Sequence, residues 1–275
     1  MKWLAATIAA MAMLVTPASA TEPIPVKGAD ASWPNCPKGM GIPSRKTKGL
    51  PMPKKEARFV ILGLTNGPGF YPNPCLDSQV QWAKKRGIWV GTYAMTTYPK
   101  PTQLRRYGAT GPWEATSKAN RLRNAGYAQA VYNLSTMERV GLAKKFIWVD
   151  VEPYPVAPWT KNRTWNKAVL DGVLKGYQDA GLEVGFYTSP GPWSDIIGSA
   201  RYRLPEWRTA GGHPWSNTNY ASARRMCSVT PVQGGQILVA QWWDTKRDYD
   251  LLCPTARTDE TVQRLFTWMS TEVTP

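Results

Sequence analysis

A single histidine, His213, is all that the 275-residue chain contains. That scarcity excludes a zinc centre of two or three histidines. It also leaves a serine or cysteine nucleophile only one possible imidazole base, set in the turn-like Gly211-Gly212-His213-Pro214. Acid–base chemistry therefore falls to carboxyl groups. Cysteine is sparse as well, and Cys36, Cys75, Cys227 and Cys253 lack the C-x-x-C spacing of a metal knuckle. Neither a metal nor a cofactor is expected. Beyond residue 20 no apolar run approaches the roughly 20 residues of a membrane span, so stable membrane insertion is not expected. Compact Lys/Arg blocks, RNA-recognition signatures and zinc-finger spacings are missing too, which argues against a specific nucleic-acid partner. Internal repeats and a Ser/Thr/Gly-rich linker are likewise absent.

What is present begins with residues 1–20. Lys2, an apolar run through Val15 and a closing Ala18-Ser19-Ala20 have the order and length of a secretory signal. Residues 21–275 remain, a length that suits one α/β barrel of about 250 residues, expected as a monomer. In an exported chain four cysteines imply two disulfides. Of the three possible pairings, Cys36–Cys75 and Cys227–Cys253 are expected, because each pair flanks elements placed to be neighbours. The formal charge is +15, or +14 without Lys2, which favours polyanionic partners (anionic cell-wall glycan, a membrane surface or extracellular nucleic acid) or serves only solubility, and charge does not choose among these. Fourteen tryptophans and twelve tyrosines supply faces able to stack on sugar rings, although many belong to the core.

Short apolar runs alternate with helical stretches. Strands are expected at residues 26–30, 58–64, 87–95, 146–152, 184–188 and 237–242, with a short one at 203–208. Helices are expected at residues 76–85, at 114–142 with a break near Gly126, and at 162–180. A final helix is expected from Thr258 to about residue 271. Residues 31–55 and 211–235 read as loops. The order predicts a TIM-like (β/α) barrel with regular units first and fewer helices in the last third.

Acidic residues follow three of the apolar runs: Asp30; Asp150 and Glu152; then Asp244, Asp248 and Asp250. In a parallel barrel such strand ends converge on one mouth. Asp150 and Glu152, spaced i, i+2, share a face about 6–7 Å apart, with Trp148 on the same inward side. Clustered carboxyls in a partly dry pocket cannot all ionise, so at least one retains its proton to high pH. Glycoside hydrolysis needs such an acid beside a charged partner. Helix capping, ion pairing or calcium binding are the other uses for such acids.

These motifs resemble the glycoside hydrolase family 25 lysozymes, of the Chalaropsis type. The resemblance rests on Gly28-Ala29-Asp30-Ala31-Ser32-Trp33, Trp148-Val149-Asp150-Val151-Glu152, Gly185-Phe186-Tyr187-Thr188, Ala240-Gln241-Trp242 and Tyr249-Asp250-Leu251, in the family's order across nearly the whole mature chain. It implies a secreted N-acetylmuramidase on a barrel of five regular units and three further strands. Glu152 would be the general acid. Asp150 would orient the 2-acetamido group or stabilise developing positive charge, and Asp30 and Asp250 would complete the acidic floor. Tyr93, Tyr187, Trp242 and Trp33 would line sugar subsites. The chain departs from the family at Pro34-Asn35-Cys36, at Ala94 after Tyr93 and at Leu252, and its loop at residues 31–58 is enlarged. A non-catalytic wall-glycan-binding protein on the same barrel is the alternative reading.

Overall fold

A computed structural model describes residues 23–155, 157–211 and 218–271. The expected signal segment and His213 lie outside the described residues. Eight strands close into a mixed barrel: β1 (Lys27–Ala31), β2 (Phe59–Gly63), β3 (Ile88–Met95), β4 (Phe146–Asp150), β5 (Glu183–Thr188), β6 (Glu206–Thr209), β7 (Ile237–Trp243) and β8 (Asp248–Leu252). All neighbours pair in parallel except β8, which runs antiparallel to both β7 and β1. The TIM-like architecture expected from the sequence is the one observed. Helices α1 (Leu76–Arg86), α2 (Pro101–Tyr107), α3 (Lys118–Arg139), α4 (Arg163–Asp179) and α5 (Pro190–Ile196) fill the crossovers between β2 and β6, with two of them between β3 and β4. Among the described residues a single short helix, α6 (Tyr220–Met226), stands between β6 and β7.

Alternation along the strands builds two cores. Val60, Leu62, Val90, Ile147, Val149 and Val184 face outward onto the helices, where they meet Leu76, Val80, Leu170, Val173 and Tyr177. Phe59, Ile61, Trp89, Phe146, Trp148 and Trp207 fill the inside of the barrel. Glycine makes room for these rings. A Cβ on Gly185 would stand 2.4 Å from the Trp148 ring, and one on Gly28 would stand 2.5 Å from Phe59. Burying aromatic surface of this size is a principal source of stability.

Several boundaries differ from expectation. Helix α3 is continuous through Gly126, because the missing side chain serves packing rather than termination: a Cβ there would lie 2.0 Å from the Val169 carbonyl oxygen on α4. The last helix, α7 (Asp259–Leu265), is capped by Thr258 as expected but stops early. Phe266 turns extended and packs on Phe59 at 4.9 Å, closing the barrel floor. β9 (Thr267–Met269) then pairs antiparallel with the start of β3, beneath the point where β4 joins it. Thr267 and Trp268 suit a strand better than a helix. Helix α6 lies in a segment read as loop, although Asn219 caps it through Ser222. The expected strand at 203–208 begins later, at Glu206. Both expected disulfides are present, Cys36–Cys75 and Cys227–Cys253.

Candidate active site

The parallel strands open at their C-terminal ends into a cleft of about 600 Å³. Strand β1 delivers Asp30, then Ser32 and Trp33. The end of β4 delivers Asp150 and, two residues on, Glu152. Tyr187 comes from β5, Gln241 and Trp243 from β7, and Asp248 from the first residue of β8. The chain is steered beyond β4 by backbone and side-chain ties. Val151 N–H donates to Tyr187 O at 2.9 Å, Thr188 Oγ1 donates to Val151 O at 2.8 Å, and Trp159 Nε1 donates to Glu152 O at 3.1 Å. Glu152 is thus held at the lip while Asp150 lies deeper and is buried.

A hydrogen-bonded chain crosses the cleft floor. Tyr187 Oη donates to Gln241 Oε1 at 2.8 Å, and Gln241 Nε2 donates to Asp30 Oδ2 at 2.8 Å. On the other side Trp207 Nε1 donates to Asp250 Oδ1 at 2.8 Å, and Asp250 is hydrogen-bonded to Asp30. Two carboxyls can share a hydrogen bond only with a proton between them. Burial and then the Asp30 charge raise Asp250 well above the carboxylate range, and burial with the Asp248 charge does the same to Asp30 against the opposing hydrogen bonds of Gln241 and Asp250. The pair therefore holds a proton between its two carboxyls well above the ordinary carboxylate range. Asp150 keeps its own proton abnormally late, through burial and then the repulsion of Glu152 and Asp30. Its buried Oδ1 accepts no hydrogen bond.

At the lip Glu152 is pushed up to about 7, mainly by burial, with Asp248 adding repulsion and Arg45 opposing the rise. Asp248 has accessible surface, yet the walls around it displace enough water to lift it to about 6. Asp244 adds to that rise and Lys48 opposes it. The site therefore carries a carboxylic acid that remains protonated near neutral pH, as a proton donor to a leaving oxygen requires.

The structure brings Asp30, Asp150, Glu152, Tyr93, Tyr187 and Trp33 together around this cleft. Two expected members stand elsewhere. Trp242 points out of the barrel, stacked on Tyr249 at 5.2 Å and edge-on to Tyr220, because alternation turns its neighbours Gln241 and Trp243 inward instead. Asp250 lies one layer below the floor, since β8 runs antiparallel and carries Asp248, not Asp250, at the mouth. Sequence reasoning missed Arg45 and Lys48, which reach the cleft from the loop after β1, and Tyr154, whose ring packs against Arg45. Only the size of that loop hinted at them. Trp207, at the centre of the aromatic floor, lies 4.6 Å from the Tyr187 ring and 5.7 Å from the Tyr93 ring.

Among the described residues no group of three or more His, Cys, Asp or Glu side chains is arranged to hold a metal ion. A second hollow, of about 630 Å³, lies on the outer side of α3 beside Phe70 and Tyr107, and no carboxyl group lines it.

The chain has counterparts among known proteins in its fold and in part of its sequence. The family model described as lysozyme-like protein 1 matches residues 116–210. A probable GH family 25 lysozyme 5 of Dictyostelium discoideum is 31% identical over 90 residues, covering 32% of this chain and 38% of that protein. The chain thus spans well under half the length of that relative. Among solved structures, a muramidase from Trichobolus zukalii has a TM-score of 0.54 at 15% identity, covering 87% of this chain and 98% of its own. A family GH25 lysozyme from Aspergillus fumigatus has a TM-score of 0.52 at 15% identity, covering 88% and 99%. In fold the chain is similar to family GH25 lysozymes, and residues 116–210 are similar in sequence to a lysozyme-like family.

Proposed function

We propose that the protein is a secreted glycoside hydrolase that cuts peptidoglycan or a related amino-sugar glycan as an N-acetylmuramidase. The observation that carries this reading is the meeting of Asp30, Asp150 and Glu152, from two strand ends far apart in sequence, in one aromatic-walled cleft. Glu152 gives its proton to the glycosidic oxygen as the bond to the anomeric carbon breaks, and the hydrolysis closes when water oxygen ends on that carbon and its released proton restores the acid. Asp150, whose buried Oδ1 lacks a donor, takes the N–H of the 2-acetamido group and orients it beside the reacting carbon. Asp30, accepting from Gln241 Nε2, completes the acidic floor beneath it. Tyr93, Tyr187 and Trp33 offer faces to the sugar rings, and Trp243 takes the subsite position first expected of Trp242. Two disulfides accord with an oxidising compartment outside the cell. The partner is the wall glycan, met by a monomer.

The test is incubation of the purified protein with isolated cell walls, followed by mass spectrometry of soluble fragments and assay of reducing ends. Wild type should release muropeptides and Glu152→Gln should not. Sedimentation with walls that survives Glu152→Gln, with no fragments from either protein, would replace the hydrolase with a wall-glycan-binding protein.

A further inference from the structure

The enlarged loop after β1 is a built arm. The Cys36–Cys75 disulfide fixes its root, and a two-residue ladder, Gly41–Ile42 with Arg45–Lys46, stiffens its tip. Buried Asn66 ties both strands of that ladder, accepting from Ile42 N–H at 2.8 Å and donating to Arg45 O at 3.3 Å. The arm places two cations on the cleft wall, Arg45 and Lys48. The Arg45 guanidinium is held between two rings, 4.6 Å from Trp33 and 4.5 Å from Tyr154, and Lys48 Nζ stands 5.9 Å from the same Trp33 ring.

Neither cation is used up by the protein. Among the described residues neither side chain makes a hydrogen bond or an ion pair within 4.0 Å, and Arg45 Nε is buried without a partner. Their charges act on the cleft acids only through space, Arg45 on Glu152 and Lys48 on Asp248, without a contact to either. Those two carboxyls stay protonated up to about 7 and about 6, which leaves the cations uncompensated in mildly acidic solution. A planar guanidinium clamped between aromatic rings has lost its rotational freedom in advance, and its fork matches a carboxylate.

We propose that Arg45 and Lys48 form an anion subsite on the cleft wall that takes a carboxylate carried by the sugar chain, so that acidic amino-sugar glycans are selected over neutral ones. This specifies the substrate class of the cleft and rests on its reading as a glycan site, not on catalysis.

Calorimetry at pH 6 with the Glu152→Gln protein, which avoids turnover, separates the two claims. The probes are chitotetraose and a tetrasaccharide of alternating N-acetylglucosamine and N-acetylmuramic acid with free lactyl carboxylates. The acidic tetrasaccharide should bind at least tenfold more tightly, with the advantage shrinking as salt rises. Adding Arg45→Gln should bring it to the chitotetraose level while leaving chitotetraose affinity unchanged, and adding Lys48→Gln should remove part of the advantage. Equal affinity for the two probes overturns the subsite, as does an Arg45→Gln loss shared by both, which would mark mere support of Trp33 and Tyr154. A ribitol-phosphate polymer that competes better than the acidic tetrasaccharide also overturns it. If discrimination persists while wild type cuts neither walls nor either probe, the hydrolase reading falls and the subsite stands.

Discussion

Asp250 stands behind Asp30 with one carboxyl oxygen accepting from Trp207 Nε1 at 2.8 Å, and the two buried carboxyls hold a proton between them. The arrangement needs a donor toward Asp30 and an acceptor toward Trp207, and it needs no charge on residue 250. An asparagine satisfies both demands. Asp250→Asn should therefore keep the fold and most of the wall-lytic rate. Asp250→Ala strands a buried indole N–H and removes a donor from Asp30, at a cost of about 1–3 kcal/mol. Thermal melts and wall-lysis rates of the two variants check this. An asparagine variant as damaged as the alanine one would show that the proton held by the pair itself takes part.

The pH dependence of cleavage has a defined sign. Glu152 acts in its protonated form, and burial keeps it protonated up to about 7. The rate should therefore fall on the alkaline side with a midpoint near 7, not near the 4.5 of an ordinary glutamate. Arg45 opposes the rise, so Arg45→Gln should move that limb to higher pH. Rates on labelled walls from pH 4 to 9 test both statements. A limb that stays fixed in the variant would mean that Arg45 and Glu152 do not sense one another.

Much of this site was legible in the sequence because it depends on local order. Asp30, Asp150 and Glu152 each follow an apolar run, and parallel strands bring such ends together whatever the details of packing. The strand at 248–252 was not legible: it runs antiparallel to its neighbours and sets Asp248 at the mouth with Asp250 one layer below. Trp242 was misplaced by a single step of alternation. Arg45 was invisible for a different reason. Its position is set by a disulfide, a two-residue ladder and one buried asparagine, none of which leaves a periodic trace.

Stability should rise on mild acidification. Asp30, Asp150, Glu152, Asp248 and Asp250 all have folded values above their unfolded ones of 3.8 and 4.5. The unfolded chain therefore releases these protons first. Their contribution is complete below the unfolded values and is lost as pH climbs through the folded ones, about 6 for Asp248 and about 7 for Glu152. The melting temperature should be higher at pH 5 than at pH 8, and Glu152→Gln should flatten part of that slope. A melting temperature that climbs from pH 5 to pH 8 would contradict the crowding of acids in the barrel mouth.

Gly126 offers a test far from the chemistry. Helices α3 and α4 approach so closely that a Cβ on Gly126 would meet Val169 O at 2.0 Å and one on Gly172 would meet Arg123 O at 2.0 Å. Neither backbone oxygen can swing aside as a side chain can, so the helices themselves must separate. Overpacking of this kind costs about 1–3 kcal/mol and sometimes more. Gly126→Val should lower the melting temperature by several degrees, roughly 2–4 °C for each kcal/mol in a domain of this size. A mid-helix glycine that only weakened α3 would behave in the opposite way, because replacing it with alanine would then stabilise the protein by about 1 kcal/mol. Comparing Gly126→Ala with wild type by thermal denaturation decides between the two: a lower melting temperature fits the close crossing, and a higher one rules it out.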